Sequence, residues 1–207
     1  MNTLFLADNP TFGTRHVIVL LISVAFIVFS VFFISRKKLS LSTVNKLLLL
    51  IGIISESIKV IYYIISNEAE YNGYLPKTDL PFHLCSIQIL FVVILNLTKN
   101  ENIKKLLYSF MLPTCLLGGF FALLLPTSSA RNQIIVTIQY FLFHSSIIVF
   151  AINLLITKEI KFTVKDYRNC LIILFAFFFI AIYLNSWIND YEHAINFMYV
   201  VAPPQDG

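Results

Sequence analysis

Residues 16–34 read HVIVLLISVAFIVFSVFFI, a run of nineteen residues without Asp, Glu, Lys or Arg. At about 1.5 Å per helical residue, such a run spans roughly the 30 Å thickness of a bilayer's hydrocarbon core. Backbone amides have no water partner in lipid, so the run is predicted to be a helix despite its many Val, Ile and Phe residues. It lacks a basic leader and a small-residue cleavage site, so it is not predicted to be a cleavable signal peptide.

Further apolar runs of similar length follow along the chain. The six predicted spans are 16–34, 43–65, 80–97, 103–125, 132–157 and 169–188. The 207 residues are 58% hydrophobic and only 13% charged, far from the average for soluble proteins. No linker or internal repeat interrupts the pattern. The predicted fold is therefore all-α, a polytopic membrane helical bundle formed by residues 1–207 as one transmembrane domain, with residues 189–207 as a tail on the outer face.

Lysine and arginine are distributed unevenly between the two sides of this bundle. One side holds eleven: Arg36, Lys37, Lys38, Lys46, Lys99, Lys104, Lys105, Lys158, Lys161, Lys165 and Arg168. The other side holds three basic residues, Arg15, Lys77 and Arg131, together with Glu68, Glu70 and Asp79. Basic loops stay in the cytoplasm, so the N-terminus is predicted outside a multi-pass protein of the cell membrane. The net charge of +4 predicts contact with anionic membrane lipids and not with nucleic acid.

The cysteines and histidines do not form a cofactor-binding pattern. Cys85, Cys115 and Cys170 fall within or at the edge of apolar runs, so each is expected to be a buried thiol and not part of a disulfide framework. The four histidines are dispersed and no Cys-x-x-Cys pair occurs, so no metal or other cofactor is predicted. The affinity of imidazole for divalent metals leaves His83 and His144 as an alternative pair of ligands.

Polar groups inside the spans indicate where function resides, because each costs free energy unless it is paired or lines a cavity. Glu56 and Lys59 are three residues apart and so share a helix face. They are interpreted either as a structural ion pair or as a substrate contact. The other polar residues singled out within the spans are His83, Cys85, Gln88, Gln139, His144 and Asn185, while His16 opens the first span.

The segment TDLPFHLCSIQIL at 78–90 predicts a helix that starts at Pro81, with Cys85 about one turn inside the membrane. A thiol near helix N-terminal amides and an imidazole can be held as a nucleophilic thiolate. His83 lies roughly 200° around a regular helix from Cys85, so the base is expected from another helix, and His144 is the only deep histidine. From the residues alone, an inert cysteine and a hydrogen-bonded structural histidine are the simpler interpretation.

Several short motifs occur in an order that is similar to one known family. They are His16 at the start of the first span, Ser55 with Glu56, LPFHLC at 80–85, GGFFALLLP at 118–126, YFLFH at 140–144 and INFMYV at 195–200. LPFHLC is close to a family motif of the type LPLHLC, and INFMYV resembles the family signature NYMYL, with Asn196 matching its asparagine. The chain therefore resembles the YwaF / transmembrane protein 164 family of integral membrane proteins over nearly its whole length.

The resemblance implies a lipid acyltransferase, because animal members of this family are lipid acyltransferases proposed to work through a cysteine acyl-enzyme. It implies that Cys85 is the nucleophile, that His144 is the base, and that His83 supports the oxyanion or orients the lipid headgroup. Glu56 would hold an imidazole in its reactive tautomer. The implied substrate-binding residues are His16, Glu56 and Asn196, with His16 contacting a phosphate.

Two features of the chain depart from this scheme. The family pattern continues through a Lys-Pro pair and a final membrane helix, whereas the present chain stops at VAPPQDG with Pro203 in place of the lysine. The expectation is a member that lacks the last helix, whose place a homo-oligomeric partner or a partner helix would take. Cys85 and His144 lie about 5 and about 12 residues from the outer ends of their spans, a mismatch of roughly 10 Å that predicts a tilted or re-entrant third helix.

Two other functional classes use the same residues without covalent chemistry. One is a small transporter or ligand-binding membrane module whose outward cavity is lined by Glu56, His83 and His144. The absence of paired glycine or proline breaks in corresponding spans argues against it. The other is a structural or assembly subunit in which polar side chains join the helices.

Overall fold

The computed structural model describes residues 10–66, 75–157, 163–188 and 195–200, and these residues form helices and connecting turns only. The helices are α1 Thr14–Lys37, α2 Leu41–Ile65, α3 Leu84–Leu97, α4 Glu101–Leu124, α5 Ser128–Asn132, α6 Ile134–Thr157 and α7 Val164–Ile188. Two short 3-10 turns cover Lys77–Asp79 and Phe197–Tyr199. The predicted loop charges Glu68, Glu70, Lys158 and Lys161, and the tail residues 189–194 and 201–207, lie outside the described residues.

Five helices, α1, α2, α4, α6 and α7, are 24 or 25 residues long and apolar enough to cross a membrane. This confirms the prediction of a multi-pass helical membrane protein. The third predicted span differs, since α3 has only 14 residues and is therefore about 21 Å long. The total of six spans and the outside position of the N-terminus stay predictions.

The third helix begins at Leu84, so the predicted start at Pro81 is wrong. The Phe82 N–H donates a hydrogen bond to the Leu80 carbonyl at 2.7 Å, which closes a tight turn in place of the first helical turn. Leu80 and Phe82 pack against the apolar cluster around Phe197, and the rings of Phe82 and Phe197 are 5.3 Å apart. Burial of these two large side chains outweighs the local preference of Pro81 for a helix start.

Helix α6 lies at the centre of the bundle. It packs against α1, α2, α4 and α5, and 15 of its 24 residues are buried. Helix α1 is peripheral, because only His16, Ser23 and Ile34 of its residues are buried. Its large apolar side chains, such as Leu21 and Phe29, are 64% and 66% exposed. Such an outward apolar surface is what lipid-facing helices present.

Hydrogen bonds between buried polar groups join neighbouring helices at one end of the bundle. The end at which α1, α3 and α6 begin is here named the outer end, following the predicted orientation. At the opposite, inner end the Asn45 amide donates to the Tyr108 hydroxyl at 2.7 Å, and the Ser109 hydroxyl donates to the Asp166 carboxylate at 3.2 Å. Such interhelical bonds join α2 to α4 and α4 to α7.

Candidate functional site

Cys85 is the second residue of α3 and is partly exposed. The first hydrogen bond of α3 runs from the Ile87 N–H to the His83 carbonyl at 3.0 Å. The N–H groups of Leu84, Cys85 and Ser86 make no hydrogen bond within the described part of the chain. Free amides at a helix N-terminus stabilise negative charge. An oxyanion formed beside Cys85 would therefore be stabilised at this position.

The imidazole of His144 is buried, with 7% of the residue exposed. Its Nδ1 is 2.7 Å from the carbonyl oxygen of Tyr140, one turn earlier in α6. Because a carbonyl can only accept, Nδ1 carries the proton and Nε2 keeps its lone pair. Nε2 has no hydrogen-bond partner among the residues that the structure describes. The helix backbone thus holds His144 in the tautomer that a general base requires.

Tyr140 packs against the candidate base. Its ring lies against the His144 ring, with centroids 4.1 Å apart and an angle of 40° between the planes. Within the described ranges no direct hydrogen bond joins Cys85 to His144. The sequence reasoning missed Tyr140, although its spacing of four residues from His144 places both on one helix face.

The late start of α3 brings these groups to similar depths. Tyr140 and Lys59 each lie six residues from the outer ends of α6 and α2, which corresponds to about 9 Å. Cys85 Sγ would be 3.6 Å from a Cβ atom added at Gly118, which is six residues from the outer end of α4, so α3 begins near this depth. His144 is ten residues into α6, but helical side chains lean toward the N-terminus, which places its ring beside that of Tyr140.

Lys59 and Glu56 form a largely buried ion pair on α2. Lys59 Nζ is 2.8 Å from Glu56 Oε2, and the two side chains are 10% and 23% exposed. Lys59 is also close enough to His144 to interact electrostatically. Glu56 makes no hydrogen bond to an imidazole within the described ranges, and the Nδ1 position of His144 is occupied by the Tyr140 carbonyl. The predicted role of Glu56 in orienting an imidazole therefore stays a prediction.

Residues 195–200 form a turn that is bound to the outer end of α7 and is here named the tail turn. The Asn185 side chain donates to the Phe197 carbonyl at 3.2 Å and accepts from the Phe197 N–H at 2.8 Å. The Phe197 side chain is fully buried. Asn196, the predicted substrate contact, precedes the 3-10 turn, and its carbonyl accepts from the Tyr199 N–H at 3.1 Å.

His83 lies under the tail turn at the entrance to α3. Its ring is 5.4 Å from the Phe197 ring and 5.8 Å from the Tyr199 ring. Because the rings of Phe197 and Tyr199 both lie near His83, the tail turn covers the side of the site where α3 begins. The structure thus brings His83, Cys85 and His144 to one region of the outer half of the bundle.

The Asn185→Ala variant is expected to release the tail turn, because the Phe197 N–H and carbonyl both lose their partner. An unpaired buried polar group costs about 1–3 kcal/mol. The measurement is hydrogen exchange of the Phe197 amide in detergent micelles, where faster exchange is expected. Asn96→Ala serves as the control, since the Asn96 amide bonds only to carbonyls near the inner end, of Val92 and Asn45. Unchanged protection of Phe197 in Asn185→Ala would contradict the assignment.

His16 is placed differently from the other predicted site residues. Its Nδ1 accepts from the Phe12 N–H and its Nε2 donates to the Leu123 carbonyl, both at 2.9 Å. Both ring nitrogens are therefore used in joining the start of α1 to the end of α4. A phosphate contact would require one of these bonds to break, so the substrate role of His16 stays a prediction with a structural alternative.

Two cavities lie at the start of α1. An open groove of about 600 Å³ is lined by Gly13, Arg15, Ile18 and their neighbours, and a second cavity of about 10 Å³ lies beside His16 and Phe141. Neither is lined by Cys85 or His144.

Among the described residues no group of three His, Cys, Asp or Glu side chains is arranged to hold a metal ion, and the three cysteines are free thiols.

These observations define a class of protein, a multi-pass helical membrane protein with a thiol and an imidazole in the outer half of its bundle. The chain belongs to the TMEM164 family, whose family model matches residues 11–207. Comparison with curated proteins and with solved structures gives no match. The family resemblance seen in the sequence motifs is therefore confirmed at the level of the TMEM164 family.

Proposed function

We propose that this protein is a membrane-embedded lipid acyltransferase that carries the acyl group as a thioester of Cys85. The observation that supports this most strongly is the position of Cys85 in the first turn of α3, beside three amides that have no hydrogen-bond partner among the described residues. His144, stacked on Tyr140, keeps Nε2 available to accept a proton. A nucleophile, a base and anion-stabilising donors are the parts that acyl transfer requires.

In the first half-reaction the Cys85 sulfur attacks the ester carbonyl carbon of a membrane lipid while its proton passes to His144 Nε2. The new carbon–sulfur bond leaves a negative charge on the carbonyl oxygen, which the amides of Leu84 to Ser86 stabilise. The carbon–oxygen bond of the ester then breaks. The leaving alkoxide takes the proton from His144 and departs as a lysolipid, and the acyl group remains on Cys85.

In the second half-reaction a hydroxyl group of an acceptor lipid gives its proton to His144 and attacks the thioester carbon. The carbon–sulfur bond breaks, and the Cys85 thiolate recovers the proton from His144. Water in place of the acceptor hydroxyl gives hydrolysis. The Cys85–His144 hydrogen bond required for both steps forms in the complex with substrate, since catalytic hydrogen bonds are often long in the free enzyme.

The remaining predicted site residues have supporting roles in this proposal. His83, between α3 and the tail turn, orients the lipid headgroup or supports the oxyanion. The Glu56–Lys59 pair holds the segment that precedes α3, because Lys59 also bonds to the Asp79 carbonyl. Asn196 shapes the tail turn above the headgroup.

A second candidate function is a transporter or ligand-binding module that uses Glu56, His83 and His144 without covalent chemistry. The observation that favours it is the ion pair of Lys59 with Glu56 close to His144 within the membrane-spanning helices. Intramembrane ionisable groups commonly mark ion or proton pathways. In this case Cys85→Ala would leave ligand binding or transport unchanged.

The proposal is tested by trapping the acyl-enzyme. The protein is reconstituted in phosphatidylcholine vesicles that contain a lipid with an alkyne-tagged acyl chain, and its peptides are analysed by mass spectrometry. The expected result is an acyl mass on the Cys85 peptide that hydroxylamine removes, because a thioester is cleaved by this reagent. Absence of an adduct at Cys85, or an equal adduct on the buried Cys170, would overturn the proposal.

A further inference from the structure

Gly118 on α4 lies directly beside the candidate nucleophile. A Cβ atom added at Gly118 would be 3.6 Å from Cys85 Sγ, and no other described atom outside its own helix surroundings lies within 4 Å of that point. The distance is an ordinary van der Waals contact. A methyl group would therefore fit at position 118, in contact with the sulfur and with no other described side chain within 4 Å.

The neighbouring Gly119 shows the opposite environment. A Cβ atom there would be 2.6 Å from Ile148 Cγ1 and 3.1 Å from the His144 carbonyl oxygen. Gly119 is therefore required for the close packing of α4 against α6. At Gly118 an added Cβ atom causes no such clash, so the packing of α4 against α6 does not explain why this residue is a glycine.

The surface of α4 on one side of Gly118 faces the membrane. Leu117 and Phe121 are 56% and 55% exposed, and Phe121 is one helical turn from Gly118. On the other side Cys115 is fully buried. Gly118, itself partly exposed, thus lies at the boundary between the lipid-facing surface and the interior. It is six residues from the outer end of α4, about 9 Å and the same depth as Tyr140 and Lys59.

We propose that Gly118 forms a lateral slot through which the acyl chain of a membrane lipid reaches Cys85 directly from the bilayer, and that its lack of a side chain determines which acyl groups are accepted. The occupant is a hydrocarbon chain because the outer side of the slot is lined by Leu117 and Phe121 and surrounded by lipid. This inference rests on the proposed function and specifies the substrate of that site as an acyl chain delivered from within the membrane.

The slot is tested by thiol labelling, which does not require acyl transfer. The protein in phosphatidylcholine vesicles is treated with N-dodecylmaleimide or N-ethylmaleimide, and the modified Cys85 peptide is quantified by mass spectrometry. The Gly118→Phe variant is expected to slow labelling of Cys85 by the dodecyl reagent by about tenfold or more, and labelling by the ethyl reagent much less. Gly118→Ala is expected to change either rate little. Leu106→Phe, which adds bulk on the exposed surface of α4 but about 18 Å from Gly118, is the matched control.

Equal dodecyl labelling of wild type and Gly118→Phe would overturn the proposal. So would labelling of wild-type Cys85 by a charged, membrane-impermeant methanethiosulfonate at the rate of the dodecyl reagent, because access would then come from water. If Gly118→Phe does not fold, as judged by circular dichroism, Gly118→Val gives the same comparison with a smaller side chain. Slowed labelling without any acyl-enzyme would retain the slot and reject only the enzymatic function.

Discussion

The Cys85→Ala variant is expected to lose acyl transfer, with a rate on the order of 10³-fold or more below that of the unmodified protein. The sulfur is the atom that forms the thioester, and alanine offers no replacement. The measurement is transfer of a tagged acyl chain between lipids in reconstituted vesicles, with circular dichroism as the check on folding. Cys170→Ala is the matched control, since this thiol also belongs to a helix of the bundle but is buried in the inner half of α7. Full activity of Cys85→Ala would exclude the thioester mechanism.

The same assay tests whether His144 acts as a general base or has only a structural role. The His144→Ala variant is expected to be slower by about 10²–10⁴-fold, the usual contribution of general acid–base catalysis. Added imidazole is expected to restore part of the rate, because it supplies a base in the space left by the side chain. A purely structural role would give lower thermal stability and no response to imidazole.

The Glu56→Gln variant is expected to destabilise the protein by about 3 kcal/mol, the lower end of the range for removing one partner of a buried ion pair. The lower end applies because the Glu56 side chain is 23% exposed. The charged Lys59 would keep neutral acceptors, the introduced amide oxygen and the Asp79 carbonyl, but would lose its countercharge. The measurement is the free energy of unfolding in mixed micelles.

Two further variants show whether this loss comes from the unpaired charge. Glu56→Gln combined with Lys59→Met is expected to be more stable than Glu56→Gln alone, because no buried charge remains. Glu101→Gln breaks the corresponding pair with Lys104, in which Glu101 is 81% exposed, and is expected to cost less than about 0.5 kcal/mol. Similar losses for Glu56→Gln and Glu101→Gln would mean that burial of the α2 pair is unimportant for stability.

The position of α3 shows where local sequence rules were insufficient. Pro81 is favourable at the start of a helix, yet α3 begins at Leu84 because Leu80 and Phe82, both partly buried, pack against Phe197, more than a hundred residues later. The same displacement removes most of the depth mismatch that separates Cys85 from His144 in a regular six-span arrangement. No local pattern in residues 78–90 contains this information.

The candidate site was predictable only in part. The residues Cys85, His83 and His144 stood out because polar groups are rare in apolar spans, and the i, i+3 spacing of Glu56 and Lys59 indicated the ion pair that the structure contains. The roles of neighbouring groups were not apparent. The backbone carbonyl of Tyr140 occupies the position on His144 that was expected for Glu56, and a carbonyl has no signature in sequence.

By itself the sequence determined that this is an all-helical protein of the membrane. The length and polarity of an apolar run can be read from contiguous residues, and the length can be compared directly with the known thickness of a bilayer. Its ordered motifs also determined the family. Only the tertiary structure decided the depth at which α3 begins, the stacking of Tyr140 on His144 and the open space at Gly118 beside Cys85. Each of these depends on packing between helices that are distant in the chain, and packing at that scale is set by the combined shapes of many side chains.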